Sequence, residues 1–287
     1  MKVAKTIYDV HRCVCKTHAE GKTIALVPTM GALHEGHFSL IRAAKASGAF
    51  VAVSIFVNPL QFGPNEDFNK YPRKEEKDLE GCRSCGVDLV FMPSPQVMYG
   101  TEPMTKVSVS GLSDVLCGAS RPGHFDGVCT VVAKLFNIFE PNEAYFGAKD
   151  FQQVTIIRRM AMDLDFPIRI VVCPTVREPD GLAMSSRNAY LTPAHRAQAR
   201  ELYQSLQLGR EMIRRSHPDP GQILEAIKQH LAGHAPDGAV DYIRIVDPAT
   251  LRDVQSTMGK VLIAMAVRFG SGRLIDNMMV DDAAQEA

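Results

Sequence analysis

The segment Val27-Pro28-Thr29-Met30-Gly31-Ala32-Leu33-His34-Glu35-Gly36-His37 carries the densest cluster of chemically capable groups in the chain. An apolar run at residues 23–27 precedes it and an amphipathic stretch at 38–46 follows, so it reads as strand, glycine-bearing turn and helix. His34 and His37 then stand at a helix start. The first N–H groups of a helix lack internal partners and its dipole is positive there, which favours a phosphate chain. Gly31 and Gly36 let such a chain approach closely. Two histidines three apart face one side of a helix and can both donate to a single anionic group, as charge developing on a leaving phosphate requires. The alternatives are a helix cap, a solvated surface histidine or zinc. Metalloprotease helices space their histidines four apart with glutamate after the first, whereas the spacing here is three.

Far along the chain, Met184-Ser185-Ser186-Arg187-Asn188 sets two hydroxyls beside an arginine, a combination that grips phosphates through hydrogen bonds and a charged fork. Pentapeptides of this kind are common, and its weight comes from pairing with the histidine turn. Residues 120–127 read as a loop before a helix, and Arg121 and His124 there either meet an anionic ligand or are simply solvated. Cys82 and Cys85 have the spacing of a redox or zinc pair. They fall near the end of an expected helix, away from the helix start that would acidify a redox thiol, so incidental cysteines are the better reading.

The elements that must position these groups follow from hydrophobic periodicity. Strand-length apolar runs at 23–27, 50–57, 87–92, 144–146 and 168–173 are separated by helical patterns at 38–46, 74–85, 128–139 and 150–164, with an early helix near 7–19. Alternation of this kind predicts an α/β fold, a Rossmann-like, doubly wound parallel sheet covered on both faces. Ligands of such sheets bind beyond the carboxyl ends of the strands, where the histidine turn, Asn58-Pro59-Leu60-Gln61 and Gly147-Ala148-Lys149-Asp150 all fall. After Pro174 the pattern changes to helices at 193–215 and 221–231 and β-rich runs at 240–246, 261–269 and 273–280. Gly270-Ser271-Gly272 between the last two implies an antiparallel pair. The expected division is residues 1–175 as nucleotide- and substrate-binding domain and 176–287 as a smaller α+β domain that carries the Met184–Arg187 loop and covers the site.

Composition narrows the partners. A chain of 287 residues suggests roughly two domains. Lys+Arg and Asp+Glu are equal at 32 each, so no global basic field recruits nucleic acid. No run approaches the roughly 20 apolar residues of a membrane span, the start lacks a secretory apolar segment, and seven scattered cysteines do not form a secreted disulfide framework. A cytoplasmic protein acting on small molecules is expected.

The histidine turn and the Met184–Arg187 loop together resemble the paired HIGH and KMSKS signatures of the nucleotidyl-transfer superfamily that includes class I aminoacyl-tRNA synthetases. Three further stretches, Phe56 to Gly63, Arg121 to Gly127 and Phe146 to Gln153, narrow the resemblance to the pantoate–β-alanine ligases, and all five run in that family's order. The resemblance implies ATP-dependent condensation of pantoate with β-alanine through an acyl-adenylate, with ATP as substrate, Mg²⁺ as its companion and a homodimeric enzyme. It further implies that His34 and His37 contact phosphate, with His37 the usual proton donor, and that Met30, Gly31, Gly147, Lys149, Asp150, Val176, Met184, Ser185, Ser186 and Arg187 belong to the ATP site. Lys149 is aimed at the phosphates and Asp150 at the ribose. Gln61 and Gln153 match the glutamines that hold pantoate, Met30 packs against the same substrate, and Asn58, Tyr71 and Arg121 are further candidates. Asp78 aligns with an acidic, metal-associated family position, but Lys77 and Gly81 depart from their acidic and amide counterparts. Ala148 replaces a common glutamate. Taken singly, Gln153 reads as solvated, Asp150 as a cap and Met30 as core.

Two rivals remain at this stage. One is an adenylyltransferase of the same fold, which would be expected to use cations for its acceptor phosphate where this chain presents Gln61 and Gln153. The other is a non-enzymatic zinc-sensing or nucleotide-binding protein built on Cys82, Cys85 and the histidines.

Overall fold

A computed structural model describes residues 1–64 and 66–281 of the chain. Its apolar runs pair as a six-stranded sheet in the order β1-β4-β3-β2-β5-β6, every neighbour parallel. The strands are β1 Lys2–Ala4, β2 Ile24–Thr29, β3 Phe50–Ile55, β4 Leu89–Phe91, β5 Glu143–Gly147 and β6 Arg169–Cys173. Burial of both faces explains why β2, β3 and β4 are almost continuously apolar. β1, three residues long, has no readable periodicity and owes its existence to pairing with β4.

The helices that precede residue 175 are α1 Ile7–Ala19, α2 Glu35–Ala46, α3 Glu75–Ser84, α4 Pro95–Tyr99, α5 Cys117–Ser120, α6 His124–Phe139 and α7 Phe151–Asp163. α6 starts four residues before the apolar period that announces it at Val128, so His124 to Gly127 are its first turn and not the expected loop. Gly123, at φ 80°, makes the left-handed entry. In the sheet, β2 has β3 on one side and β5 on the other, so the strand order reverses about it. The carboxyl ends of these three adjacent strands lead into the histidine turn, the Asn58–Gln61 turn and the Gly147–Asp150 segment.

The C-terminal part holds α8 Pro193–Ala199, α9 Glu201–Ser216, α10 Pro220–His234, and an antiparallel sheet of β7 Ala239–Val246, β8 Lys260–Phe269 and β9 Gly272–Asp281 in that order. The single helix expected at 193–215 is two, separated at Arg200, whose backbone keeps helical angles. Leu202, Leu206 and Ile213 of α9, Ile223 and Ile227 of α10 and Ile263 and Met265 of β8 share its core. By packing, the chain forms two compact units. One is Met1–Ser113, Arg121–Ala148 and Ile156–Pro174, and the other is Asp114–Ser120, Lys149–Thr155 and Thr175–Ala287. Among the described residues, no helix is long and apolar enough to cross a membrane.

Candidate active site

In the first unit, the turn after β2 is held from below by side chains. Thr29 Oγ1 donates to the Ser54 carbonyl at 2.8 Å and accepts the Gly31 N–H at 3.3 Å. Gly31 and Ala32 both take left-handed backbone angles, φ 84° and 49°. Asp78 of α3 pins them, its two oxygens accepting the Ala32 and Leu33 N–H groups at 2.8 and 2.7 Å. A Cβ at Gly31 would meet Asp78 Oδ2 and Ile55 Cγ2 at 3.1 Å each, so glycine is needed for space as well as for φ.

His34 is the N-cap of α2 and His37 its third residue. His34 Nδ1 accepts the Gly36 N–H at 3.2 Å, and His37 Nδ1 accepts the His34 N–H at 3.3 Å. Backbone N–H groups only donate, so in these bonds both Nδ1 atoms are unprotonated and the ring protons sit on Nε2. The cap reading and the phosphate reading are therefore compatible: one nitrogen of each ring caps, and the other is an N–H donor. The rings lie 4.2 Å apart between centroids, close enough to address one group.

Asp78 is buried, and desolvation raises its carboxyl above the ordinary range against the pull of the Leu33 and Ala32 N–H groups. Both oxygens serve the turn, Lys77 is its neighbour, and a Cβ at Gly81 would run into the Phe38 ring. Among the described residues no group of three or more His, Cys, Asp or Glu is arranged to hold a metal ion. These residues do not fit a protein-built magnesium site, and Asp78, expected as a metal ligand, serves as the pin of the histidine turn.

A second network centres on Gln61, buried in the turn after β3. Leu60 N–H donates to Asn58 Oδ1 at 3.2 Å, and Asn58 Nδ2 donates to the Gly127 carbonyl at 3.0 Å, which fixes the orientation of the Asn58 amide. Asn58 Nδ2 also donates to Gln61 Oε1, so the Gln61 amide N–H₂ is left to face Met30. Tyr99, which the sequence did not single out, donates to Asn58 Oδ1 at 2.7 Å. The Gln61 carbonyl accepts from His124 Nδ1 at 2.7 Å and from Arg121 Nη2 at 3.3 Å. With its proton on Nδ1, His124 Nε2 can accept from Arg121 Nη1 at 3.0 Å. Arg121 meets an anion, as its position suggested, but that anion is Glu66, bound through Nε and Nη2 at 2.6 Å each. Tyr71 lies buried with its ring edge-on to Phe62.

Burial tends to raise the Glu66 carboxyl, and Arg121 outweighs it, leaving the group below its ordinary range. A depressed carboxyl contributes stability that is present above the unfolded pKa, about 4.3, and is lost as pH falls through the lower folded value. Glu66→Gln is expected to flatten the acid limb of thermal stability below about pH 4 and to leave the melting temperature at pH 2 near that of the parent. A parallel acid limb in the variant would place the titrating group elsewhere.

Gly127 packs its backbone against this turn. A Cβ there would stand 2.3 Å from the Leu60 oxygen and 2.6 Å from the Gln61 nitrogen. Gly127→Ala is therefore expected to displace Gln61 and to lower stability by roughly 1–3 kcal/mol, measured by denaturant unfolding. An unchanged midpoint would mean that the turn gives way without cost.

In the second unit, Lys149 and Asp150 sit in a 3-10 turn that leads into α7, with Lys149 Nζ 3.9 Å from Asp150 Oδ2. Gln153 is half-buried on the first turn of that helix. Asn277 of β9 donates to the Lys149 carbonyl at 2.8 Å. The Met184 N–H donates to the Val176 carbonyl at 3.0 Å, closing a small hairpin bridged at Arg177 and Ala183. Ser185 caps the 3-10 helix Ser186–Tyr190 by accepting the Arg187 N–H at 3.2 Å. Arg177 locks the hairpin: its guanidinium binds Asp276 at 2.6 and 2.9 Å, donates to the Gly181 carbonyl at 3.0 Å and stacks 4.2 Å over Tyr203. Asp276 and Asn277 lack a local sequence signature, because their partners lie 99 and 128 residues away.

The thiol of Cys82 is pushed up to about 12, chiefly by burial, which keeps it a neutral packing group at neutral pH.

Comparison with known proteins gives a consistent result. A family model described as pantoate-beta-alanine ligase matches residues 2–279. Over 281 residues the chain is 50% identical to a pantothenate synthetase of Moorella thermoacetica, covering 98% of this chain and 99% of the relative. It is 51% identical to one of Desulfitobacterium hafniense with the same coverage. A crystal structure of pantothenate synthetase from Thermus thermophilus superposes with a TM-score of 0.92 at 43% identity, covering 97% of this chain and 99% of that one. A pantoate-beta-alanine ligase from Francisella tularensis, complexed with beta-gamma ATP and beta-alanine, superposes at 0.80 with 35% identity and 97% of each chain covered.

Proposed function

The chain belongs to the pantoate-beta-alanine ligase family, and on that premise we propose how its residues share the ATP-dependent formation of pantothenate from pantoate and β-alanine. It is an ATP-using ligase that forms a C–N amide bond. The route we propose has two steps. A pantoate carboxylate oxygen attacks the α-phosphorus of ATP, the bond from that phosphorus to the bridging oxygen breaks, and pyrophosphate leaves. The β-alanine amine then attacks the acyl carbon, the bond to the AMP oxygen breaks, and the nitrogen sheds a proton.

Such a reaction needs a clamp on phosphate charge rather than a nucleophilic side chain. The observation that carries this reading is that His34 and His37 each accept a backbone N–H at Nδ1, which assigns the N–H donor of each ring to Nε2. We assign His37 to the bridging oxygen as it becomes part of the leaving group, and His34 beside it on the phosphate chain. Met30 and Gly31 line the nucleotide's approach. Gln61, turned by Asn58 to present its N–H₂ group, donates to an acceptor oxygen of pantoate, with Met30 packed alongside. Arg121 acts indirectly by gripping the Gln61 carbonyl.

From the second unit we assign Lys149 to the phosphates, Asp150 to the ribose, Gln153 to pantoate, and Val176, Met184, Ser185, Ser186 and Arg187 to the nucleotide, with Gly147 leading into them. Magnesium is assigned to the phosphates of ATP, where waters and substrate oxygens complete its shell. A cytoplasmic homodimer completes the reading, and sedimentation at micromolar concentration tests the dimer.

The test of function is product analysis with ATP, Mg²⁺, pantoate and β-alanine, each omitted in turn. AMP, pyrophosphate and pantothenate in equal amounts from the complete mixture are the expected result. Pyrophosphate release that persists with a phosphorylated acceptor in place of both acids would favour adenylyl transfer instead.

A further inference from the structure

We propose that Asn277 is a positioning residue for ATP, fixing through its side-chain amide the main-chain carbonyl of Lys149 and so the place from which that lysine extends. The inference rests on reading Lys149 as a phosphate contact.

A lysine ammonium rides on four rotatable bonds, so where it can reach is set by where its Cα is held. Lys149 lies in a single 3-10 turn, Ala148–Asp150, a poorly self-supporting element. Asn277 Nδ2 donates to its carbonyl at 2.8 Å. The donor is itself well anchored: Asn277 pairs with Ala264 in the middle of the ten-residue β8–β9 ladder, with register kept on both sides. Its N–H is held by Asp276 Oδ1 at 2.8 Å. Asp276, whose side chain leaves the strand on the other face, binds Arg177 and thereby the hairpin that leads into Met184–Arg187. Two consecutive residues of one strand therefore anchor both segments that the second unit is assigned to lay against the nucleotide. Of the two, Asp276 is buried in an ion pair and carries stability, whereas Asn277 is half-buried and bonds the Lys149 carbonyl.

The chemistry of the contact also selects the residue. A carbonyl requires a donor, which asparagine supplies and aspartate, of the same shape, does not. Asn277→Asp sets oxygen against oxygen and reverses the contact without changing volume.

Steady-state kinetics on Asn277→Ala and Asn277→Asp, with each substrate varied in turn, test the proposal. The expected result is a KM for ATP raised about tenfold in both variants, KM for pantoate and β-alanine within about twofold of the parent, and an unchanged melting temperature. A general loss of fold would lower kcat through the active fraction and leave the three KM values alike, and that outcome overturns the proposal. Lys149→Ala, measured alongside, separates the two levels. If it weakens ATP use while both Asn277 variants keep the parental KM for ATP, Asn277 is not a positioning residue although the assignment of Lys149 stands. If Lys149→Ala itself uses ATP normally, the assignment of Lys149 fails and the proposal with it. The double variant should be no worse for ATP than Lys149→Ala, since a carbonyl anchor has nothing left to position. Should the alanine variant not fold, Asn277→Ser carries the same comparison.

Discussion

His37→Ala is expected to lower the rate of adenylate formation by roughly 10²- to 10³-fold, the loss that follows when one preorganised donor to a developing oxyanion is removed. Two roles are assigned to His37, and the substitution removes both. Its Nδ1 caps the His34 N–H, and its Nε2–H is the donor assigned to the leaving oxygen. The cap is worth about 1 kcal/mol of helix stability, which alone would not change chemistry a hundredfold. His37→Asn separates the roles, because a short amide can still accept at the helix start but places no donor at the position of Nε2. Both variants should lose adenylation in a rapid-quench single turnover, and only His37→Ala should lose melting temperature. Conversion of supplied pantoyl-adenylate and β-alanine to pantothenate should be largely retained in both, since the charge stabilised there leaves with AMP and not with pyrophosphate. A parental rate of pyrophosphate release in His37→Asn would remove Nε2 from the mechanism.

How far this site can be read before folding depends on how local its bonds are. Thr29, Gly31, His34 and His37 lie within nine residues, and glycines between an apolar run and an amphipathic one announce strand, turn and helix together. That is why β2, α2 and the sheet around them were legible. The first turn of α6 was not, because Gly123 and Gly127 imitate a loop. Gly127 is glycine because the backbone at Leu60 lies against it, a contact across the fold that no window of sequence contains. Arg121 was read as able to meet an anion, but Glu66 as its partner depends on a turn placed 55 residues earlier. Asp78 drew notice only through its family position; that both its oxygens take backbone N–H groups 46 and 45 residues away is a property of packing. Composition and period report which residues are buried. Which donor meets which acceptor is settled only when distant turns are brought together.

The same distinction gives the largest expected loss of stability. Asp276→Ala should cost about 3 kcal/mol, because it leaves Arg177 without its carboxylate in a largely buried place. Breaking such a pair from one side is costly chiefly through the charge that is left behind, not through the worth of the pair itself. Arg177 keeps the Gly181 carbonyl and the Tyr203 ring, which argues for the lower end of the range seen for buried pairs. For a chain of this size the loss corresponds to a melting temperature lower by roughly 6–12 °C. Asp276→Asn retains an acceptor oxygen of the same shape and should lose less than half as much. The double variant Arg177→Met with Asp276→Leu removes both charges and should recover most of the stability while still loosening the hairpin that carries Met184 to Arg187. Stability and ATP affinity would then part company: the double variant should melt near the parent yet show a raised KM for ATP. If the single variant Asp276→Ala melts within about 2 °C of the parent, the carboxylate contributes no net stability and the hairpin is held by Tyr203 and the Gly181 carbonyl instead.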